Sequence, residues 1–179
     1  MSLLQVCKIQ IVHRKNDFKC VYFKHYIVSF AIMNKPEHVK LLLDSYKKFV
    51  KKELINRSGN IKTDFERIEK ADFIVVSHNG ANDPILNYGN YAALKTWELG
   101  WDDFTKTPSR KTAELDLREK RQEMLAIADK KGFFDNYEGI RVSATGKRFM
   151  IKNAVIWNVV NEVGDKIGQA ATFNDLEFI

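Results

Sequence analysis

The chain has 179 residues, 45% of them hydrophobic and 29% charged, with a net charge of +6. That is enough apolar content for one domain with a core plus extensions. No run of about 18 apolar residues occurs, so no segment is marked as a membrane-spanning helix.

The apolar stretch at 21–32 is interrupted by Lys24 and His25, and no small-residue cleavage site follows it, so it does not read as a secretory signal. Cys7 and Cys20 are the only cysteines and have no metal or disulfide spacing. They read as free thiols of an intracellular protein, and a cytoplasmic location is expected. The charge is uneven. Residues 1–70 hold 15 Lys/Arg against 7 Asp/Glu, and residues 71–179 hold 14 against 16. The basic balance therefore belongs to the N-terminal part, where a solvated helix face is the expected cause and a nucleic-acid contact the alternative.

Residues 1–32 mix β-formers, lysines and aromatics without clean periodicity and are expected to be an extension, one that an upstream start codon would explain. A helix is expected over 34–57. Asn34 is the candidate cap, Pro36 suits the first turn, and Glu37 stands three residues on. Val39, Leu42, Leu43, Tyr46, Phe49, Val50 and Leu54 recur on one face, with lysines off it. Residues 33–70 thus form a helix-and-linker segment, and residues 71–176 form the domain proper.

Within that domain, 73–77 and 84–88 read as strands. Asn90 caps a helix running to Leu99, 101–104 is a helical turn, and 105–112 a loop. A longer helix should start at Asp116 and stop at Gly132. Three strands follow, at 137–143, 148–160 and 166–173, separated by turns containing Gly146 and Gly164. In the middle strand the odd positions Phe149, Ile151, Val155, Trp157 and Val159 are apolar, and so are Met150, Ala154, Ile156 and Val160. A strand apolar on both sides is covered on both. The expected fold is α+β: an antiparallel sheet of about five strands flanked by helices, with the amphipathic helix packed on the sheet or on a partner.

The order strand, strand, small helices, longer helix, three-stranded meander resembles a PAS domain. Residues 84–90 resemble the PAS second strand running into its capping Asn90, and Ala144-Thr-Gly-Lys-Arg-Phe149 resembles the PAS hairpin turn. More narrowly, the chain resembles a bacterial stand-alone MEKHLA-domain protein, a PAS-related family. The residues that carry this are Leu42-Leu-Asp-Ser-Tyr46, Val75-Val-Ser-His78, Asp83-Pro-Ile-Leu-Asn-Tyr-Gly-Asn90, Thr107-Pro-Ser-Arg110, Gly139-Ile-Arg-Val142 and Gly168-Gln-Ala-Ala-Thr-Phe173. The resemblance implies a sensory or regulatory role and pairing through the 34–57 helix, but names no ligand.

PAS domains often hold flavin or haem. Adduct-forming flavin photochemistry needs a cysteine beside the ring, and none follows Cys20. Haem needs an axial ligand, and His78, at a strand end, reads as a turn residue. His13, His25, His38 and His78 have no metal-ligand spacing. Ser77 and His78 are adjacent on a strand and point to opposite faces, so they do not form a catalytic pair. Asp102 and Asp103 read as a helix start.

The cofactor therefore stays unassigned. The candidate ligand pocket is Asn87, Trp97, Trp101, Arg110, Trp157 and Asn158, which combine apolar bodies with polar tips. The functional expectation is a non-catalytic sensor of a small molecule or protein partner. Its rivals are a small enzyme using the same cavity and a nucleic-acid-associated regulator using the basic N-terminal region.

Overall fold

The computed structural model describes residues 34–114 and 130–179, together with the backbone of 20–23 and 26–29. The chain divides into two compact units, Met1–Met33 and Asn34–Ile179. In the first, strands β1 (Cys20–Phe23) and β2 (Tyr26–Ser29) form an antiparallel pair, with Cys20 opposite Ser29. The helix expected from Asp116 lies outside the described residues.

The second unit begins with helix α1 (Lys35–Val50). Asn34 is extended as a cap should be, but its side chain makes no capping bond; its carbonyl accepts from His38 N–H instead. The helix stops at Lys51, in the left-handed conformation at φ 63°, rather than at residue 57. Tertiary contacts explain the early stop. Arg57 reaches back to Asp44 of α1 at 2.5 Å and forward to the buried Asp64 of α2 (Ile61–Glu69), so the chain must reverse before residue 57. Asn60 caps α2 by accepting from Thr63 N–H.

Strands β3 (Ile74–Asn79) and β4 (Leu86–Gly89) come next, then α3 (Tyr91–Trp97), the short α4 (Trp101–Phe104) and a 3-10 turn at Ser109–Thr112 where a loop was expected. The sheet is completed by β5 (Phe133–Val142), β6 (Arg148–Val160), β7 (Lys166–Phe173) and β8 (Asp175–Phe178). The order is β4-β3-β7-β6-β5, antiparallel throughout, and β8 pairs with the first half of β6 beyond the end of β7. The sixth strand, β8, had no counterpart in the sequence reading, because Asp175-Leu-Glu-Phe178 is too short and polar to register as a strand by itself.

Two bulges decide which face each side chain takes. Asn136 in β5 and Asn153 in β6 both have positive φ, at 55° and 54°, and the β5–β6 register shifts beside each. Asparagine tolerates this conformation better than most residues, and a single extra residue reverses the alternation beyond it. Phe149 and Ile151 before the bulge therefore share a face with Ala154 and Ile156 after it, and all four enter one core cluster. Trp157 and Val159 fall on the opposite face. The expectation that Phe149, Ile151, Trp157 and Val159 lie together is thus corrected.

Each face has its own cover. The first, with Ile74, Leu86, Ala154, Ile156 and Phe173, meets Trp97 of α3 and Phe104 of α4. On the other, Trp157 is fully buried. Its ring meets Tyr46 of α1 edge-on at 5.0 Å, and its Nε1–H donates to the Leu42 carbonyl at 3.2 Å. Ser45 Oγ accepts from Val160 N–H at 3.0 Å. The apolar stripe of α1 (Val39, Leu42, Leu43, Tyr46) is buried on its own sheet.

Candidate functional site

Asn90 anchors the strands that build the site. Its Oδ1 accepts from Ala93 N–H, which caps α3, and from Val75 N–H, while Nδ2 donates to the carbonyls of Ile68 and Phe73. One buried side chain thus joins the end of α2, the start of β3 and the start of α3. The loop after α4 is pinned to the segment entering β4 by Ser109 N–H to the Pro84 carbonyl at 2.7 Å and Leu86 N–H to the Thr107 carbonyl at 2.9 Å. At the other end of α3, Glu98 accepts from Ser143, Thr145 and Lys147. Hydrogen bonds from Lys147, then Thr145 and Ser143, hold its carboxyl down at about 2.

Between these supports and the sheet lies a cavity. It is walled by Val76, Ser77, His78, Leu86, Trp97, Phe104, Ser109, Thr112, Tyr137, Arg141, Ile151, Ala154, Ile156, Gln169, Ala170, Ala171 and Phe173. Its volume is about 60 Å3, room for a few waters or a small organic molecule. The wall is mainly apolar and aromatic.

Its polar groups are concentrated. Arg141 donates from Nη2 to Tyr137 Oη at 2.7 Å and from Nη1 to the Ile140 carbonyl at 2.9 Å, and its guanidinium carbon lies 5.2 Å from the Tyr137 ring centre. Gln169 donates to Asn158 Oδ1 at 3.0 Å, its direct partner across β6 and β7. Thr112 Oγ1 donates to the Ser109 carbonyl.

Of the six residues expected to form the pocket, Trp97 lines the cavity and Asn158 stands behind Gln169. The other four lie elsewhere. Trp157 is on the opposite face, under α1. Asn87, at the β3–β4 register shift, accepts from Ser77 Oγ at 2.6 Å. Trp101 lies beneath the ammonium of Lys35, 3.4 Å from its ring centre. Arg110 is exposed and doubly bonded to Asp83 at 2.9 and 3.1 Å.

Tyr137, Arg141, Gln169 and His78 are among the wall residues absent from the expected pocket. A signal did exist: Tyr137, Gly139 and Arg141 alternate along one strand, and an arginine among β-formers marks a polar group carried into a wall.

The opposite face carries a second polar group. His38 of α1 places Nε2 2.9 Å from Ser77 Oγ. Since Ser77 gives its own proton to Asn87, the imidazole is the donor and is neutral, protonated at Nε2. Burial lowers its pKa from 6.5 to about 4. Tyr88, whose ring centre is 5.9 Å from that of His38, donates to Glu69 at 2.6 Å. Burial, reinforced by Glu69, pushes the Tyr88 phenol upward. This is a serine beside a histidine, but the hydroxyl proton points away from the base and α1 covers the pair. It is built for packing, not for nucleophilic attack.

The 34–179 unit, which holds the cavity, contains no cysteine. His78 holds its Nδ1 2.8 Å from the Asn79 carbonyl. Among the described residues no group of three His, Cys, Asp or Glu side chains is placed to hold a metal.

A five-strand antiparallel order of this kind, with helices crowded on one face over a small cavity, defines a PAS-type domain. Solved structures agree on the fold. The chain is similar to the PAS domain of a protein from Colwellia psychrerythraea (TM-score 0.57, 11% identity, 66% of this chain and 96% of that one). It is also similar to a PAS domain from a two-component sensor histidine kinase (TM-score 0.51, 10% identity, 66% and 95%) and to a light-oxygen-voltage domain studied with a flavin analogue (TM-score 0.51, 11% identity, 64% and 83%). The sequence model of the MEKHLA domain matches residues 36–178, and the chain belongs to that family. No curated protein sequence matches it. None of its described helices is long and apolar enough to cross a membrane.

Proposed function

We propose that this protein is a non-catalytic, cytoplasmic sensory or regulatory module. It takes a small molecule into the cavity, or docks a protein partner, and signals through the packing of α1 on the sheet. The observation that carries this reading is the sharing of strands between two faces. Ile156 of β6 belongs to the cavity side and its neighbour Trp157 to the α1 side, and in β3 His78 lines the cavity while its neighbour Ser77 meets His38 of α1. A ligand that shifts β3 or β6 on one side must therefore move the seat of α1 on the other, which is a population shift between packings of one helix.

Hydrogen exchange of α1 amides tests it. A small molecule that binds the cavity should change protection over Lys35–Val50, and binding that leaves those amides untouched counts against the mechanism. Pairing of two copies through residues 34–57 belongs to the same reading. Because the apolar face of α1 is buried at home, that contact would use the outer, lysine-bearing face, and sedimentation at low and high salt would separate an electrostatic pair from a monomer.

A further inference from the structure

We infer that the cavity's ligand is a short aliphatic monocarboxylate, its carboxylate held by Arg141 and Trp97 and its chain lying on the aromatic wall. This rests on the small-molecule reading above and names the chemistry of the molecule.

Arg141 is the first support. Among the described residues, Arg57, Arg67, Arg110 and Arg148 each pair with a carboxylate: Asp44, Asp64, Asp83 and Glu114. Arg141, only 8% exposed, has no such partner. Its two hydrogen bonds go to a neutral phenol and a carbonyl, so three of the five N–H donors of a guanidinium remain for something else. A guanidinium does not escape burial by losing its proton, and an uncompensated buried cation is costly. The Tyr137 ring offsets part of that cost. A planar two-oxygen anion would complete it.

Trp97 is the second support. It lines the same cavity at 3% exposure, and its Nε1 is the one buried side-chain polar atom without a partner among the described residues. Buried donors are nearly always satisfied, so an acceptor is missing from this wall. Volume and lining set the rest. A volume of about 60 Å3 matches a molecule of only a few carbons. A wall of Leu86, Phe104, Ile151, Ile156 and Phe173 favours an organic body over a hydrated inorganic ion.

Titration calorimetry of the full chain, in a buffer free of carboxylates, with butyrate, its neutral isostere butyramide, phosphate and nitrate tests this. Butyrate is expected to bind at least tenfold more tightly than the other three. Arg141→Gln should lose at least tenfold in butyrate affinity, Arg141→Lys should lose less, and Trp97→Phe should weaken it several-fold. If Arg141→Gln does not fold, the lysine and Trp97→Phe variants carry the comparison.

Equal binding of butyramide and butyrate, with no response to the arginine variants, would overturn the anion assignment and leave a ligand-binding cavity standing. Phosphate or nitrate binding as tightly as butyrate would overturn the organic class. If no probe binds, the carboxylate inference falls; the sensor reading is then judged separately by the exchange of α1 on docking a protein partner.

Discussion

At Asn90 one fully buried amide serves two backbone N–H groups and two carbonyls from three elements. Asn90→Ala would remove a cap and strand three further backbone groups, so a loss of about 3 kcal/mol or more is expected, read from urea unfolding. Gly168 is constrained differently: a Cβ there would overlap the His78 carbonyl oxygen on the paired strand β3. Since the clash is with backbone, Gly168→Ala should cost about 2 kcal/mol.

His38 gives the molecule a pH dependence. Its folded pKa of about 4 lies below the usual 6.5, so between those values the unfolded chain binds the extra proton. The stability that comes from keeping it neutral is complete above pH 6.5 and is lost as pH falls toward 4, by about 3 kcal/mol in all. His38→Gln, which keeps a donor for Ser77 without the titration, should flatten the unfolding free energy between pH 6.5 and 4.5; an unchanged slope there would show that another group is responsible.

The same logic at the scale of elements concerns α1 and β8. α1 is attached to the sheet by Trp157, Tyr46 and the Ser45 hydroxyl rather than by charge. Trp157→Phe removes the bond to the Leu42 carbonyl and should cost about 1–2 kcal/mol, while Trp157→Ala opens a cavity and should cost about 3–5 kcal/mol. Both should raise exchange of the α1 amides. Neither residue change touches the cavity wall, so ligand affinity should fall only as far as α1 docking is coupled to it.

Strand β8 completes the β6 edge from Phe149 to Lys152, with Phe178 set against Phe149 and Lys152 paired to Glu177. Ending the chain at Asn174 would leave that edge unpaired, and a lower unfolding midpoint with a greater tendency to self-associate is expected.

For the molecule as a whole, the 34–179 unit has its own two-sided core, and the family match begins at residue 36. A chain starting at Met33 is therefore expected to unfold in one cooperative transition, checked by comparing calorimetric and van't Hoff enthalpies. The architecture puts a cavity on one face and the amphipathic α1 on the other. That arrangement is what makes a sensory reading physical, because β3 and β6 line the cavity and also carry Ser77 and Trp157, which meet α1.

Periodicity, capping and turn chemistry are local, and what they encode could be read directly from the chain. The three-stranded meander, Asn90 as a cap and the apolar stripe of α1 all follow from spacing and residue type within a few positions of one another. Cavity membership does not.

Asn136 and Asn153 each reverse the alternation of a strand, and nothing in Phe149–Val160 by itself says that Trp157 has changed sides. The pairing of β8 with β6, the meeting of His38 with Ser77 and the isolation of Arg141 from any described carboxylate depend on residues far apart in sequence. Register and burial are properties of the assembled sheet, so only the tertiary structure could take Trp157 off the cavity wall and set Arg141 on it with Trp97.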